Sequence, residues 1–209
     1  MINLGVLASG RGSNFQAIID AVARGVLPAK IKVLVTDNSE AYAIERARRA
    51  GIPWHYFDPK SFKNKEEYEK EIVKTLLSYE VDTVCLAGYM RLIGKPLLSS
   101  FPMRIINIHP ALLPAFPGLH AQKQALDYGV KIAGCTVHFV DEGMDTGPII
   151  LQAAVPVYDD DSEESLSERI LEQEHRILVE ALRLLSENRL VVEGRRVRIL
   201  PDGREGHGK

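Results

Sequence analysis

Asn107 and His109 stand two residues apart at the end of the Ile-rich run Arg104–Ile108. Asp145 follows in a tight acidic loop, VDEGMDTGPII, over Val140–Ile150. Residues i and i+2 of a strand share a face, so a neutral amide donor and an imidazole are expected side by side. That pair suits polarisation of a carbonyl and proton movement near neutral pH. Pro110 stops the strand, and Pro114 and Pro117 stiffen the loop that runs on to Gly118 and His120. Asp145 is the natural partner for the histidine, because a nearby carboxylate stabilises an imidazolium. Gly143 and Gly147 let that loop's backbone approach a ligand closely. Taken alone, Asn-x-His also fits a strand end whose Asn caps a turn, and Asp141 and Glu142 fit solvated turn acids. The company these residues keep decides between the readings.

Two further segments carry chemistry. ASGRGSN, Ala8–Asn14, joins the first apolar run to a helix; Gly10 and Gly12 permit a tight turn, and amides at the helix start suit an anion. The spacing departs from the dinucleotide fingerprint, because Phe15 occupies the third glycine position. With Ser13 and Asn14 adding donors, a monophosphate fits better than a pyrophosphate. LAGYMRLIG, Leu86–Gly94, ends another strand-like run. Met90, Leu92 and Ile93 offer apolar contact there and Arg91 a charge, at the strand ends where open α/β sheets collect ligands. The histidines at 55, 109, 120, 138, 175 and 207 show no paired ligand spacing, and His138 reads as a core or pocket-edge residue. No metal is expected, and no GxSxG elbow marks a serine hydrolase.

These residues have to be positioned by the rest of the chain. INLGVLA leads into a helix from Ser13, with Gly25 as its stop. IKVLVTD is followed by the helical AYAIERARRAG, then by the strand PWHYFD. KNKEEYEKEIVKTLLSYE reads as an amphipathic helix whose charge run is a solvated face, and VDTVCLAG as a fourth strand. After the INIHP strand come a helix around HAQKQALDYG, two longer strands (IAGCTVHFV and PIILQAAVPV) expected to pair antiparallel, and a long helix capped at Ser162. A hairpin turning at Gly194 closes the pattern. The expected fold is α/β: a single-domain, Rossmann-like, mostly parallel sheet flanked by helices, antiparallel in its second half. The domain is expected over 1–200, with a frayed tail over 201–209.

Composition narrows the function. With 209 residues, 45% hydrophobic, 26% charged and a net charge of -2, the chain offers no global electrostatic case for nucleic acid or membrane. No apolar run approaches the roughly 18 residues that span a bilayer, and the N-terminus turns polar too early for a signal peptide. Cys85 and Cys135 read as reduced core thiols of a cytoplasmic protein.

SGRGSN, LAGYMRLI, INIHPALLPAFPGLHA, DEGMDTGPII and ILEQEH, in this order, resemble the phosphoribosylglycinamide formyltransferases, folate-dependent transformylases of purine synthesis. The resemblance runs from Met1 to about the terminal hairpin. It implies a formyltransferase fold and transfer of a formyl group from 10-formyltetrahydrofolate to glycinamide ribonucleotide, without a metal. It marks Asn107, His109 and Asp145 as the catalytic trio. Gly12, Ser13 and Asn14 match the phosphate-holding segment, and Glu174 a carboxylate contacting the nucleotide. Met90, Arg91, Leu92 and Ile93, with Asn107 and the loop Val140, Asp141, Glu142, Gly143, Met144 and Asp145, match the folate pocket. Lys65 falls where the family commonly has a basic residue near the folate's glutamate tail, and a lysine gives up bidentate carboxylate binding. Ala115 stands where some members carry a lysine. The neighbouring readings are a formyltetrahydrofolate hydrolase, which usually carries an added regulatory domain, and a non-catalytic nucleotide-binding module. The tRNA-directed relatives carry an extra C-terminal domain. A monomer or a homodimer is expected.

Overall fold

The computed structural model describes residues 1–202; the expected tail lies, from 203 onward, outside the described residues. The first half alternates strand and helix: β1 (Ile2–Leu7), α1 (Ser13–Ala23), β2 (Ala29–Thr36), α2 (Tyr42–Arg49), β3 (Trp54–Tyr56), α3 (Lys65–Ser78) and β4 (Thr83–Leu86). A short helix α4 (Lys95–Ser100) precedes β5 (Ile105–His109) and α5 (Ala121–Tyr128). Then β6 (Ile132–Phe139) and β7 (Ile149–Pro156) lead to the long helix α6 (Glu163–Ser186) and the hairpin β8 (Leu190–Glu193) and β9 (Arg196–Ile199).

All strands join one sheet in the order β3-β2-β1-β4-β5-β6-β7-β9-β8. The pairs from β3 to β5 are parallel, and β5–β6 and β6–β7 are antiparallel, as expected from the sequence. The central parallel strands β1 and β4 are buried on both faces, which is why they read as near-continuous apolar runs. Helices cover the two faces unequally. Phe15 and Ile18 of α1, Ala43 and Ala47 of α2, and Leu166, Ile170, Leu178 and Leu182 of α6 pack on one side. Tyr68, Ile72 and Leu76 of α3 and Leu97 of α4 pack on the other.

Local signals explain the element ends. Gly25 adopts φ 71 just past α1. The Ser162 side chain accepts from Ser165 N while the Ser165 hydroxyl accepts from Ser162 N, a reciprocal cap for α6. Gly194 turns the terminal hairpin with φ 61. Cys85 and Cys135 are free and buried, and burial pushes each thiol up to about 12.

Two expectations need correction. The α4 helix has no counterpart in the sequence reading: six residues are too few for a helical period to show. The charge run of α3 is not wholly solvated either, since Glu69 is only 2% exposed. It shares the buried stripe with Tyr68, Ile72 and Leu76, spacings that a helix brings to one side.

Candidate active site

One cavity of about 690 Å³ opens at the carboxyl ends of β4 and β5, beneath the loop between β6 and β7. Its centre is a side-chain cluster assembled by strand register. Asn107 of β5 pairs with His138 of β6, and His109 pairs with Thr136. His109 is 5% exposed. Its Nδ1 lies 3.4 Å from Asp145 Oδ2, and its Nε2 lies 2.8 Å from the Phe116 carbonyl oxygen. A carbonyl only accepts, so Nε2 carries a hydrogen, and Nδ1 is the ring atom that faces Asp145.

Asp145 is held in place from several sides. Its backbone takes φ 54, a left-handed conformation that Asp tolerates better than most residues. Oδ2 accepts from Gly118 N at 2.8 Å, and Oδ1 accepts from Asn107 Nδ2 at 3.4 Å. Burial pushes this carboxyl up, but the His138 ring, the Gly118 amide and His109 outweigh it and hold it below its ordinary range. It is therefore anionic at neutral pH.

His138 was read as a core or pocket-edge residue, and it proves to be part of the cluster. Its Nδ1 donates to the Phe139 carbonyl at 2.8 Å, and its Nε2 lies 3.2 Å from Asn107 Nδ2 and 3.7 Å from Asp145 Oδ1. The Asn107 amide nitrogen thus sits between the His138 ring and the Asp145 carboxylate. Only the antiparallel register reveals this, since the two residues lie 31 positions apart. The loop after His109 is pinned by buried Thr136, whose hydroxyl donates to Ala111 O at 2.7 Å and accepts from Leu113 N at 3.1 Å. Gln152 of β7 reinforces it by donating to Leu113 O at 2.9 Å.

The start of α1 meets α6 on one side of the sheet. Gly12 caps α1 with φ 69, and no side chain caps that helix. A Cβ at Gly12 would stand 2.9 Å from the Ala43 Cβ, so glycine is required both for conformation and for the packing of α2. The uncapped first-turn amides face the helix N-terminus, where an anion is favoured. Asn14 is buried, and its Nδ2 donates to Glu174 Oε2 at 2.8 Å across 160 positions of sequence. Asn14 Oδ1 is buried without a hydrogen-bond partner among the described residues. Burial pushes the Glu174 carboxyl up, and the Asn14 amide only partly offsets it.

The other flank is apolar and more open. Met90 and Leu92 stand 64% and 53% exposed at the cavity mouth, with Met144 and Leu119 opposite, while Ile93 is tucked into the core. Ser9 of the glycine turn accepts from Met90 N through its hydroxyl at 3.0 Å, joining the two flanks. Arg91 and Val140 also line the cavity. Among the expected site residues, Gly12 and Ser13 lie beside the cavity lining at the start of α1. Asp141 turns inward on its own loop, accepting from Gly143 N and from the Thr146 hydroxyl. Glu142 is exposed. Lys65 stands apart from the lining, with its Nζ 3.7 Å from Glu69 Oε1. Among the described residues, no group of three His, Cys, Asp or Glu side chains is arranged to hold a metal ion.

Residues 2–182 match the family model described as "Formyl transferase". A crystal structure of glycinamide ribonucleotide transformylase 1 from Symbiobacterium toebii superposes with a TM-score of 0.95, at 57% identity, over 96% of this chain and 95% of that one. Phosphoribosylglycinamide formyltransferase of Bacillus subtilis is 49% identical over 176 residues, 84% of this chain and 90% of its own length. The chain belongs to the phosphoribosylglycinamide formyltransferases. Larger relatives contain such a segment too: the trifunctional purine biosynthetic protein adenosine-3 of Drosophila melanogaster is 48% identical over 183 residues, of which this chain spans 14%. Within this formyl transferase Asn14, Glu174, the segment Gly88–Ile93 and the cluster around Asp145 line one cavity.

Proposed function

We propose that this formyl transferase moves the formyl group of 10-formyltetrahydrofolate onto the amine of glycinamide ribonucleotide, giving formylglycinamide ribonucleotide for purine synthesis. The observation that carries this reading is the two-ended cavity with Asn107, His109 and Asp145 at its middle. One end offers uncapped helix amides and the Asn14–Glu174 pair, which suit a phosphate and a ribose with its hydroxyl donors. The other end offers the apolar walls of Met90, Leu92 and Met144, which suit a flat pterin-like ring.

The ribonucleotide amine attacks the formyl carbon and a tetrahedral oxyanion develops. Asn107 and His109 supply hydrogens to that oxygen, taken over from the protein groups they now face, Asp145 and the Phe116 carbonyl. The Asn107 contact to Asp145, at 3.4 Å, is the longer of its two. A single such donor contributes about 3–4 kcal/mol of barrier lowering. Anionic Asp145 stabilises the imidazolium form of His109 as charge builds. The attacking nitrogen loses a proton, the bond from the formyl carbon to the folate nitrogen breaks, and that nitrogen gains a proton. In this reading the enzyme works in the cytoplasm, in keeping with its free, buried thiols.

The test is incubation with 10-formyltetrahydrofolate while following release of the deformylated folate, with and without glycinamide ribonucleotide. Release that requires the ribonucleotide and yields its formylated product is the expected result. Release without it would make the chain a hydrolase, and no release in either arm would return it to a binding module.

A further inference from the structure

The segment Gly88–Gly94, which forms the apolar wall, has no regular secondary structure of its own. Helix α3 supplies the hold. The Tyr68 hydroxyl lies 2.8 Å from that of Tyr89, and the Arg91 guanidinium sits 5.5 Å above the Tyr68 ring. The next residue, Glu69, is buried at 2% exposure, and its Oε1 accepts from Gly94 N at 2.8 Å. Its only ion-pair partner among the described residues is half-exposed Lys65, at 3.7 Å. Among the described residues Oε2 has no well-formed hydrogen bond, though the Leu97 amide of α4 also acts on this carboxyl group.

A carboxylate placed this deep is costly, and a fold retains it only where it satisfies something that would otherwise be orphaned. Here that is the backbone amide at which the wall ends and α4 begins. The fit is close from the other side as well. A Cβ at Gly94 would stand 2.8 Å from Glu69 Oε2, although the φ of -111 at Gly94 is one any residue can adopt. The steric demand for glycine therefore comes from the carboxylate alone. At its far end the same segment is tied by Ser9 to Met90 N.

We infer that Glu69 is a positioning residue for the folate side of the site, setting the backbone of Met90–Ile93 through the Gly94 amide without touching substrate. Lys65 then serves that end indirectly, as the counter-charge of Glu69. The inference rests on the reading of Met90–Ile93 as the folate wall.

The experiment compares steady-state constants for both substrates in Glu69→Ala, Glu69→Gln, Gly94→Ala and the Glu69→Ala/Gly94→Ala double variant, with hydrogen exchange over residues 88–98. Glu69→Ala is expected to raise the KM for 10-formyltetrahydrofolate about tenfold, as a lost hydrogen bond to a buried amide does, and to leave the ribonucleotide KM within about twofold. Glu69→Gln keeps an oxygen for Gly94 N and should stay within about threefold of the parent on the same grounds. Gly94→Ala should reproduce the folate defect, and the double variant should be no worse than Glu69→Ala, since the methyl then has no carboxylate to meet. Exchange over 88–98 should quicken in Glu69→Ala and not in Glu69→Gln. An unchanged folate KM in Glu69→Ala, equal rises in both KM values, or additive defects in the double variant would overturn the assignment. Should Glu69→Ala fail to fold, Gly94→Ala and Glu69→Gln still decide it. Leu92→Ala checks the underlying reading separately: if it leaves folate KM untouched, the folate wall is misassigned, whereas the exchange result on Glu69 is unaffected.

Discussion

The two halves of the sheet serve the site in different ways. In the parallel half, β1 and α1 contribute mainly backbone: a left-handed glycine, helix-start amides and a turn held by its neighbours. In the antiparallel half, β5, β6 and the following loop contribute side chains: Asn107, His109, His138 and Asp145. Parallel strands need a crossover helix, and that helix brings its N-terminus to the strand end. Antiparallel pairing instead sets residues of neighbouring strands directly opposite one another, as with Asn107 and His138. Damage to the first half should therefore act on binding through sterics, and damage to the second on turnover through charge and hydrogen bonding.

The strongest way to break that contrast is Asp145→Asn. It preserves shape while removing the anion facing His109, and kcat should fall about a thousandfold or more, as for other orienting aspartates, with both KM values little changed. A comparable fall in binding with kcat intact would erase the distinction between the halves. Gly12→Ala comes next. Its methyl meets Ala43 at 2.9 Å and its φ of 69 disfavours a side chain. We expect a loss of about 1–3 kcal/mol in stability, read by denaturant unfolding, from the forced conformation and overpacking. The ribonucleotide KM should rise with it, and kcat at saturation should move little.

The smallest effect sharpens the comparison where the halves meet, at Glu174. Its carboxyl is raised in the folded chain, chiefly by burial. A raised group contributes stability that is present below its unfolded value of about 4.3 and is lost as pH rises through the folded one. Glu174→Gln is neutral throughout, so its thermal midpoint should match the parent near pH 4 and exceed it by about 2–4 °C at pH 8. Its ribonucleotide KM should rise about tenfold, because a charge-assisted contact is lost. A midpoint below the parent at pH 8 would mean that the Asn14 contact outweighs the burial of the charge.

Much of the site was legible from local pattern. The glycine turn, the shared face of Asn107 and His109, the loop that carries Asp145 and the Ser162 cap all depend on residues close in sequence. What escaped was set by distant packing. His138 looks like any strand histidine until β6 is laid against β5. Glu69 looks like one more charge in a charged helix until α4 covers it. Asn14 suggests a phosphate donor by its place in the turn, yet its amide is committed to Glu174 on α6. Lys65 falls at a basic position of the family, but its nearest charge is the buried carboxylate one helical turn away.

The sequence by itself determined the order of elements apart from α4, the parallel-to-antiparallel change and the local grouping of Asn107 with His109 on one strand face. Periodicity, glycine and proline positions and i,i+2 geometry are short-range properties that a linear chain carries with it. Tertiary structure alone decided which hydrogen each donor gives and to which acceptor, and which charges are buried. Those depend on strand register and on helices packed on the sheet, contacts between residues that the chain places far apart and only folding brings within hydrogen-bond reach.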